Sequence, residues 1–164
     1  MGLDINTPKG QESLSQEHQT HQIIKRNWKL DIIETPKDST AACDGFLIKN
    51  GVIVALFETK CRNLTYNELI NYDTWLITMA KIAKCKSLSK LLRVPFIGFL
   101  YLVSESNPIL LSVKITNNKG EYLFEFEQIE EPTQANINGG VAVRVNAHIP
   151  VDKLKQVGVF IENV

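Results

Sequence analysis

The chain has 164 residues, 44% of them hydrophobic and 22% charged, and 18 basic against 18 acidic side chains give a formal net charge of zero. That length suits a single domain (1–164) with a core of its own, and the neutral balance excludes a bulk polycation, so affinity for phosphate has to come from local patches. Cys43, Cys61 and Cys85 form no C-x-x-C pair, which argues against a zinc ribbon or a disulfide scaffold and makes a reducing cytoplasm the simplest expectation. No run approaches the ~20 apolar residues of a membrane span. The first residues lack a signal-like apolar core, and Asn6 stands where a myristoylation motif needs Ser or Thr.

Pro8 to about Trp28 predicts a polar helix whose later turns carry Ile23, Ile24 and Trp28. KLDIIE (29–34) predicts a first strand, which Pro36 and the polar KDST then break. CDGFLIK and VIVALFETK flank Asn50-Gly51 and predict a hairpin. Thr65 followed by Glu68 is a capping-box pattern for a helix from near Tyr66. WLI (75–77) predicts a short strand, and Thr78 a cap for a helix from Met79 to about Leu92, stopping before Pro95. The apolar run FIGFLYLV predicts a strand buried on both faces. ILLSVKI and EYLFEFE around 117–120 predict a second hairpin, with Tyr122, Phe124 and Phe126 on one face and Glu121, Glu125 and Glu127 on the other. After Gly139-Gly140, VAVRVNAHI predicts a last strand and Val151–Val157 a short closing helix. The expected architecture is an α/β domain with a mixed, largely antiparallel sheet flanked by helices.

Glu58-Thr59-Lys60 ends an apolar strand. Side chains alternate along a strand, so Glu58 and Lys60 share one face and Thr59 points away. Charges beside a core call for partners, and Asp44 begins the other arm of the same hairpin. A regular two-residue Asn50-Gly51 turn sets Asp44 opposite Phe57 and sends Glu58 to the other face. A three-residue loop of Lys49, Asn50 and Gly51 with a G1 bulge sets Asp44 opposite Leu56, on one face with Glu58 and Lys60. The expectation is the three-residue register, or a bulge elsewhere with the same effect. Two carboxylates, the Thr59 backbone carbonyl and waters offer hard oxygen ligands to Mg²⁺ or Mn²⁺. With Lys60 to orient or deprotonate water, the set suits phosphodiester hydrolysis.

Asp44-Gly45, thirteen residues between Asp44 and Glu58, and Glu58-Thr59-Lys60 on a hairpin resemble the PD-(D/E)XK nuclease superfamily. Cys43 stands where the literal pattern has Pro. The likeness continues in Cys61-Arg62, in Thr78-x-x-Lys81 and in the buried strand after Pro95, over about residues 10–105. It is closest to small phage or prophage endonucleases and Holliday-junction resolvase-like members. The resemblance implies a restriction-endonuclease-like core with additional C-terminal antiparallel strands (about 106–164), and a metal-dependent nuclease acting on DNA. It assigns Asp44, Glu58 and Lys60 as catalytic residues, with Asp44, Glu58 and the Thr59 carbonyl on the metal. Glu17 in the first helix is the candidate further ligand, with Glu12 as the alternative. Resolvase-like action would call for a homodimer.

Each of these readings has a plainer rival. Glu58 and Lys60 can be an exposed ion pair at a strand end, worth only ~0–1 kcal/mol. Arg62, Lys81 and Lys84 are candidate DNA contacts, with Lys86, Lys90 and Arg93 adding to a basic helix face that can equally be solvated surface. Lys81 is favoured because it lies in the first turn of its helix. Tyr72 is a candidate base-stacking residue or a boundary aromatic. His18 and His21 read as an exposed polar face, His148 as structural, and Cys43 and Cys61 as small residues behind the site. The rival of another class is a non-catalytic nucleic-acid-binding or protein-interaction module that keeps the fold; an RNA-processing nuclease is a third possibility.

Overall fold

The computed structural model describes residues 6–36, 41–133 and 140–162. Helix α1 (Pro8–Trp28) starts at Thr7, whose side chain accepts the Gly10 amide, and ends at Lys29 in the left-handed conformation. Strands β1 (Asp31–Glu34), β2 (Gly45–Lys49) and β3 (Val52–Arg62) form an antiparallel meander. Helix α2 (Tyr66–Tyr72) opens with the expected capping box between Thr65 and Glu68. Strand β4 (Thr74–Thr78) leads into α3 (Met79–Leu92); Thr78 is its N-cap residue but makes no side-chain cap. Strand β5 (Phe96–Leu102) is buried at every residue and runs parallel to β3.

The remaining strands are β6 (Ile109–Lys114), β7 (Glu127–Pro132), β8 (Val143–Pro150) and β9 (Lys155–Val159). The main sheet has the order β1-β2-β3-β5-β6-β9, and β4-β8-β7 form a second, antiparallel sheet. Among the described residues only β3 and β5 pair in parallel. Helices and extra strands thus cover a mixed central sheet, the layered α/β arrangement expected of a restriction-endonuclease-like core.

Alternation along β3 and β5 divides the core in two. Phe57, Phe99 and Tyr101 pack with Ile23 and Ile24 of α1. Leu56, Phe96, Leu100 and Leu102 pack with Ile82 and Cys85 of α3 and with Trp75, Ile77, Ala147 and Ile149 of the second sheet. Burying each of these large side chains contributes about 1.5–3 kcal/mol.

Two C-terminal expectations are corrected. Tyr122–Phe126 is not a hairpin strand: β6 already pairs with β5 on one edge and β9 on the other, so no ladder is open to it. A single Thr116–Tyr122 bridge remains, and Phe124 and Phe126 pack against the core. Val151–Val157 is not a helix either. A 3₁₀ turn at Val151–Lys153 leads into β9, where Gly158 lets α1 approach so closely that an added Cβ would lie 2.5 Å from Asn27 Nδ2. VAVRVNAHI is accordingly the next-to-last strand, β8, with β9 after it.

Candidate active site

The β2–β3 hairpin decides which side chains meet. Its turn is the two-residue Asn50-Gly51, with φ of 52° and 76°, and Lys49 pairs with Val52. The three-residue loop is therefore corrected, with Leu56 paired to Phe46 rather than to Asp44, and the hairpin takes the other expected route, a bulge elsewhere. Parity is reset farther along, at a bulge between Leu47 and Ile48: Ile48 pairs with Ile53 and Leu47 with Ala55, which leaves Val54 unpaired. Val54 and Ala55 both pack on the α1 side. Leu56, Glu58 and Lys60 then fall on the α3 side, and Gly45 comes to lie opposite Phe57.

Asp44 sits just before β2 and is tied to this strand twice. Its amide donates to the Phe57 carbonyl at 2.9 Å, and its Oδ2 accepts the Thr59 amide at 2.7 Å. Glu58 is only 2% exposed. Its Oε1 lies 3.1 Å from Lys60 Nζ, and its Oε2 lies 3.4 Å from Lys81 Nζ. That second contact is an ion pair without hydrogen-bond geometry, so Oε2 is a buried carboxylate oxygen with no hydrogen bond. Burial, then the charge of Asp44, push the Glu58 carboxyl up to about 7, against the opposing pull of Lys60 and Lys81. Burial alone would lower the Lys81 ammonium, but Glu58 and then Asp44 outweigh it and raise it.

An exposed ion pair is thus excluded for Glu58. Even with Lys60 and Lys81 as charge partners, this buried acid beside a second carboxylate keeps one oxygen without a hydrogen bond. An oxygen in that state can be taken up by a hard cation. Among the described residues no group of three or more His, Cys, Asp or Glu is placed to hold a metal. A site here would use two carboxylates, a backbone carbonyl and water, a donor set that suits Mg²⁺, which keeps several waters.

The other candidates are spread around this centre. Glu17 is half-buried on α1, close enough to Cys61 for its charge to raise the thiol, after burial, to about 11. Glu12 is exposed. Arg62 donates to the carbonyls of Cys61 at 2.9 Å and Leu76 at 3.4 Å, and burial lowers its guanidinium. Lys84 and Tyr72 are exposed.

Two expectations about neighbouring residues are corrected. Cys43 belongs to the cluster on the Glu58 side, with Cys85, because it lies in a bend before β2 where strand alternation does not apply; Cys61 packs on the far side as expected. His21 is buried, not exposed, with Nδ1 2.8 Å from Glu34 Oε1 and its ring edge-on to Phe57, because the inner face of α1 is wide enough to include it. His148 bridges strands through Glu131 and Thr74.

Sequence reasoning did not find the link from Lys81 to Glu58. Its trace is the placement of Lys81 next to Ile82 and four residues before Cys85, both buried on the inner face of α3. No helix among the described residues is long and apolar enough to cross a membrane. A family model described as "Phage putative PDDEXK endonuclease" matches residues 8–124, from the start of α1 to the segment after β6. None of the curated proteins matches the chain.

Proposed function

Because the chain belongs to the phage PDDEXK endonuclease family, we propose that it is a divalent-metal-dependent endonuclease acting on DNA, with Asp44, Glu58 and Lys60 at its catalytic centre. The observation that carries this reading is the buried Glu58 carboxylate, with one oxygen on Lys60 and the other without a hydrogen bond, beside Asp44.

Asp44 and Glu58 are the acidic ligands and the Thr59 carbonyl is a third donor, for Mg²⁺ or Mn²⁺. A cation held there supplies Lewis-acid stabilisation of the phosphate's developing charge and a lower pKa for the attacking water. Lys60, on the same face as Glu58, orients that water through its ammonium group and offsets charge on the phosphate oxygens. Glu58 has to be ionised to serve as a ligand, which ties activity to pH near and above 7. Asp44 keeps one oxygen for the cation, because the other is held by the Thr59 amide.

Glu17 is the candidate further acid at this end of β3. Lys84, exposed on α3, suits a phosphate contact, and Tyr72 a stacking contact. Arg62 adds positive potential from a half-buried position, and Lys81 contributes charge beside Glu58. A cytoplasmic setting, a single nuclease domain and action on branched DNA as a two-fold dimer complete the proposal.

The test is cleavage of single-stranded, duplex, flapped and four-way DNA, with Mg²⁺ and with Mn²⁺. The proposal expects cutting of at least one substrate that Glu58→Ala and Lys60→Ala abolish while DNA binding survives. Binding without cutting under every condition would replace it with a non-catalytic module, and neither activity would point to an interaction protein.

A further inference from the structure

The four residues that carry Asp44 into the site, Ala41 to Cys43 and Asp44 itself, lie outside any strand, yet each of their carbonyls accepts a hydrogen bond. Lys81 Nζ donates to Ala41 O at 3.2 Å, and Cys85 Sγ donates to Ala42 O at 3.1 Å. Thr35 Oγ1 lies 2.7 Å from Cys43 O and 2.9 Å from Asp44 O, and the Thr35 amide donates to Asp44 O at 3.0 Å. Lys81 and Cys85 are four residues apart, one turn of α3, so one helix face holds two consecutive carbonyls. Lys81 also reaches Glu58 Oε2. One helix is thereby fastened to both acids: to Glu58 directly, and to Asp44 through the backbone that carries it.

We infer that Lys81, Cys85 and Thr35 are positioning residues that fix the placement of Asp44 relative to Glu58, and so the shape of the proposed metal seat. The reason is chain stiffness. Asp44 itself is held by backbone hydrogen bonds to Phe57 and Thr35, but residues 41–43 before it lie in no strand, and their carbonyls are anchored by side chains. Without them, bends at 41–44 would carry the carboxylate away from Thr59 and widen the gap between the two acids. Partners that orient metal ligands typically change metal affinity by about 10–100-fold when removed. The inference rests on the proposed metal-dependent reading for its consequence, but its structural part does not need metal.

Cys85 and Thr35 are the clean probes, because both are uncharged; changing Lys81 would also remove a cation beside Glu58. In metal-free protein, amide exchange at Thr59 reports the Asp44 carboxylate, which accepts that amide. Cys85→Ala and Thr35→Val are expected to speed Thr59 exchange at least about tenfold relative to the neighbouring β3 amides, and Cys85→Ser, which keeps a donor, to restore it. Calorimetric titration with Mn²⁺ is expected to weaken about tenfold or more in the same two variants, and kcat at saturating metal to recover while KM for DNA holds. Unchanged Thr59 exchange in both folded variants would overturn the inference, as would weakening that Cys85→Ser fails to reverse. If wild-type protein neither binds Mn²⁺ nor cuts DNA, the proposed function fails, while the exchange measurement still decides the positioning role.

Discussion

Asp44 accepts the backbone amide of Thr59 at 2.7 Å, and so the loop acid is fastened to the strand position between Glu58 and Lys60. The hydrogen bond uses one carboxylate oxygen, Oδ2. It also makes the location of Asp44 depend on the register of β3, which the Val54 bulge sets.

That dependence is testable by deletion. Removing Val54 takes out the extra residue and restores continuous pairing from the Asn50-Gly51 turn. If the shorter strand keeps Ile53 and the turn in place, Glu58 and Lys60 rotate to the α1 side, away from Lys81 and into the apolar cluster around Ile23, Ile24 and Phe99. The expected outcome is loss of cleavage together with a stability decrease of about 2–4 kcal/mol in denaturant titration. Cleavage at the wild-type rate would show that the bulge does not set the site.

Glu58 gives a pH signature. Its folded-state carboxyl is raised from 4.5 to about 7, first by burial and then by Asp44. A raised acid favours the protonated folded state, so its stabilising contribution is complete below about pH 4.5 and is lost as pH rises through about 7. Metal-free protein, kept in chelator, is expected to lose on the order of 2 kcal/mol between pH 5 and pH 8 from this group. Glu58→Gln should flatten that slope and be the more stable protein at pH 8. A slope unaffected by the substitution, in matched urea titrations, would contradict the assignment. The same ionisation implies that metal affinity declines as pH falls below 7.

Gly98 lies across from Glu58 on β5, and an added Cβ would meet Ile115 Cδ1 at 3.0 Å and Trp75 Cη2 at 3.2 Å. Gly98→Ala is therefore expected to cost about 1–3 kcal/mol through overpacking, and to lower kcat by displacing Trp75 beneath the site. A thermal shift of less than ~2 °C would mean that the pocket over Gly98 yields more easily than its packing suggests.

Within the proposed mechanism, Lys60 and Glu58 act in the transition state rather than in DNA binding. Lys60→Ala and Glu58→Gln should reduce kcat by roughly 10²–10⁴-fold. DNA affinity in the absence of cleavage should change far less, and circular dichroism should match the wild type. Equal losses in affinity and rate would instead make Lys60 a phosphate contact.

Much of this was legible from local patterns. Thr65 with Glu68, the apolar run at 96–102 and the periodicity of 79–92 each specify an element through interactions within a few residues, and those elements stand where expected. Asp44, Glu58 and Lys60 were legible as a group because strand alternation and a tight turn leave few registers. A bulge was one of the two routes to that register, but its position was not legible, because a bulge at Val54 depends on how Val54 and Ala55 pack under α1, not on turn residues. EYLFEFE has strong strand character, yet whether it pairs was decided by β9, some thirty residues later, taking the edge of β6. Lys81 reads as a surface cation until the bend at 41–44 brings Ala41 and Glu58 to it.

Manganese seated between the two acids is the central claim, and anomalous diffraction from crystals soaked in Mn²⁺ tests it most directly. The account predicts a peak within ligand distance, about 2.0–2.4 Å, of carboxylate oxygens from both Asp44 and Glu58. Full manganese occupancy elsewhere on the protein, with none between these two acids, would contradict it.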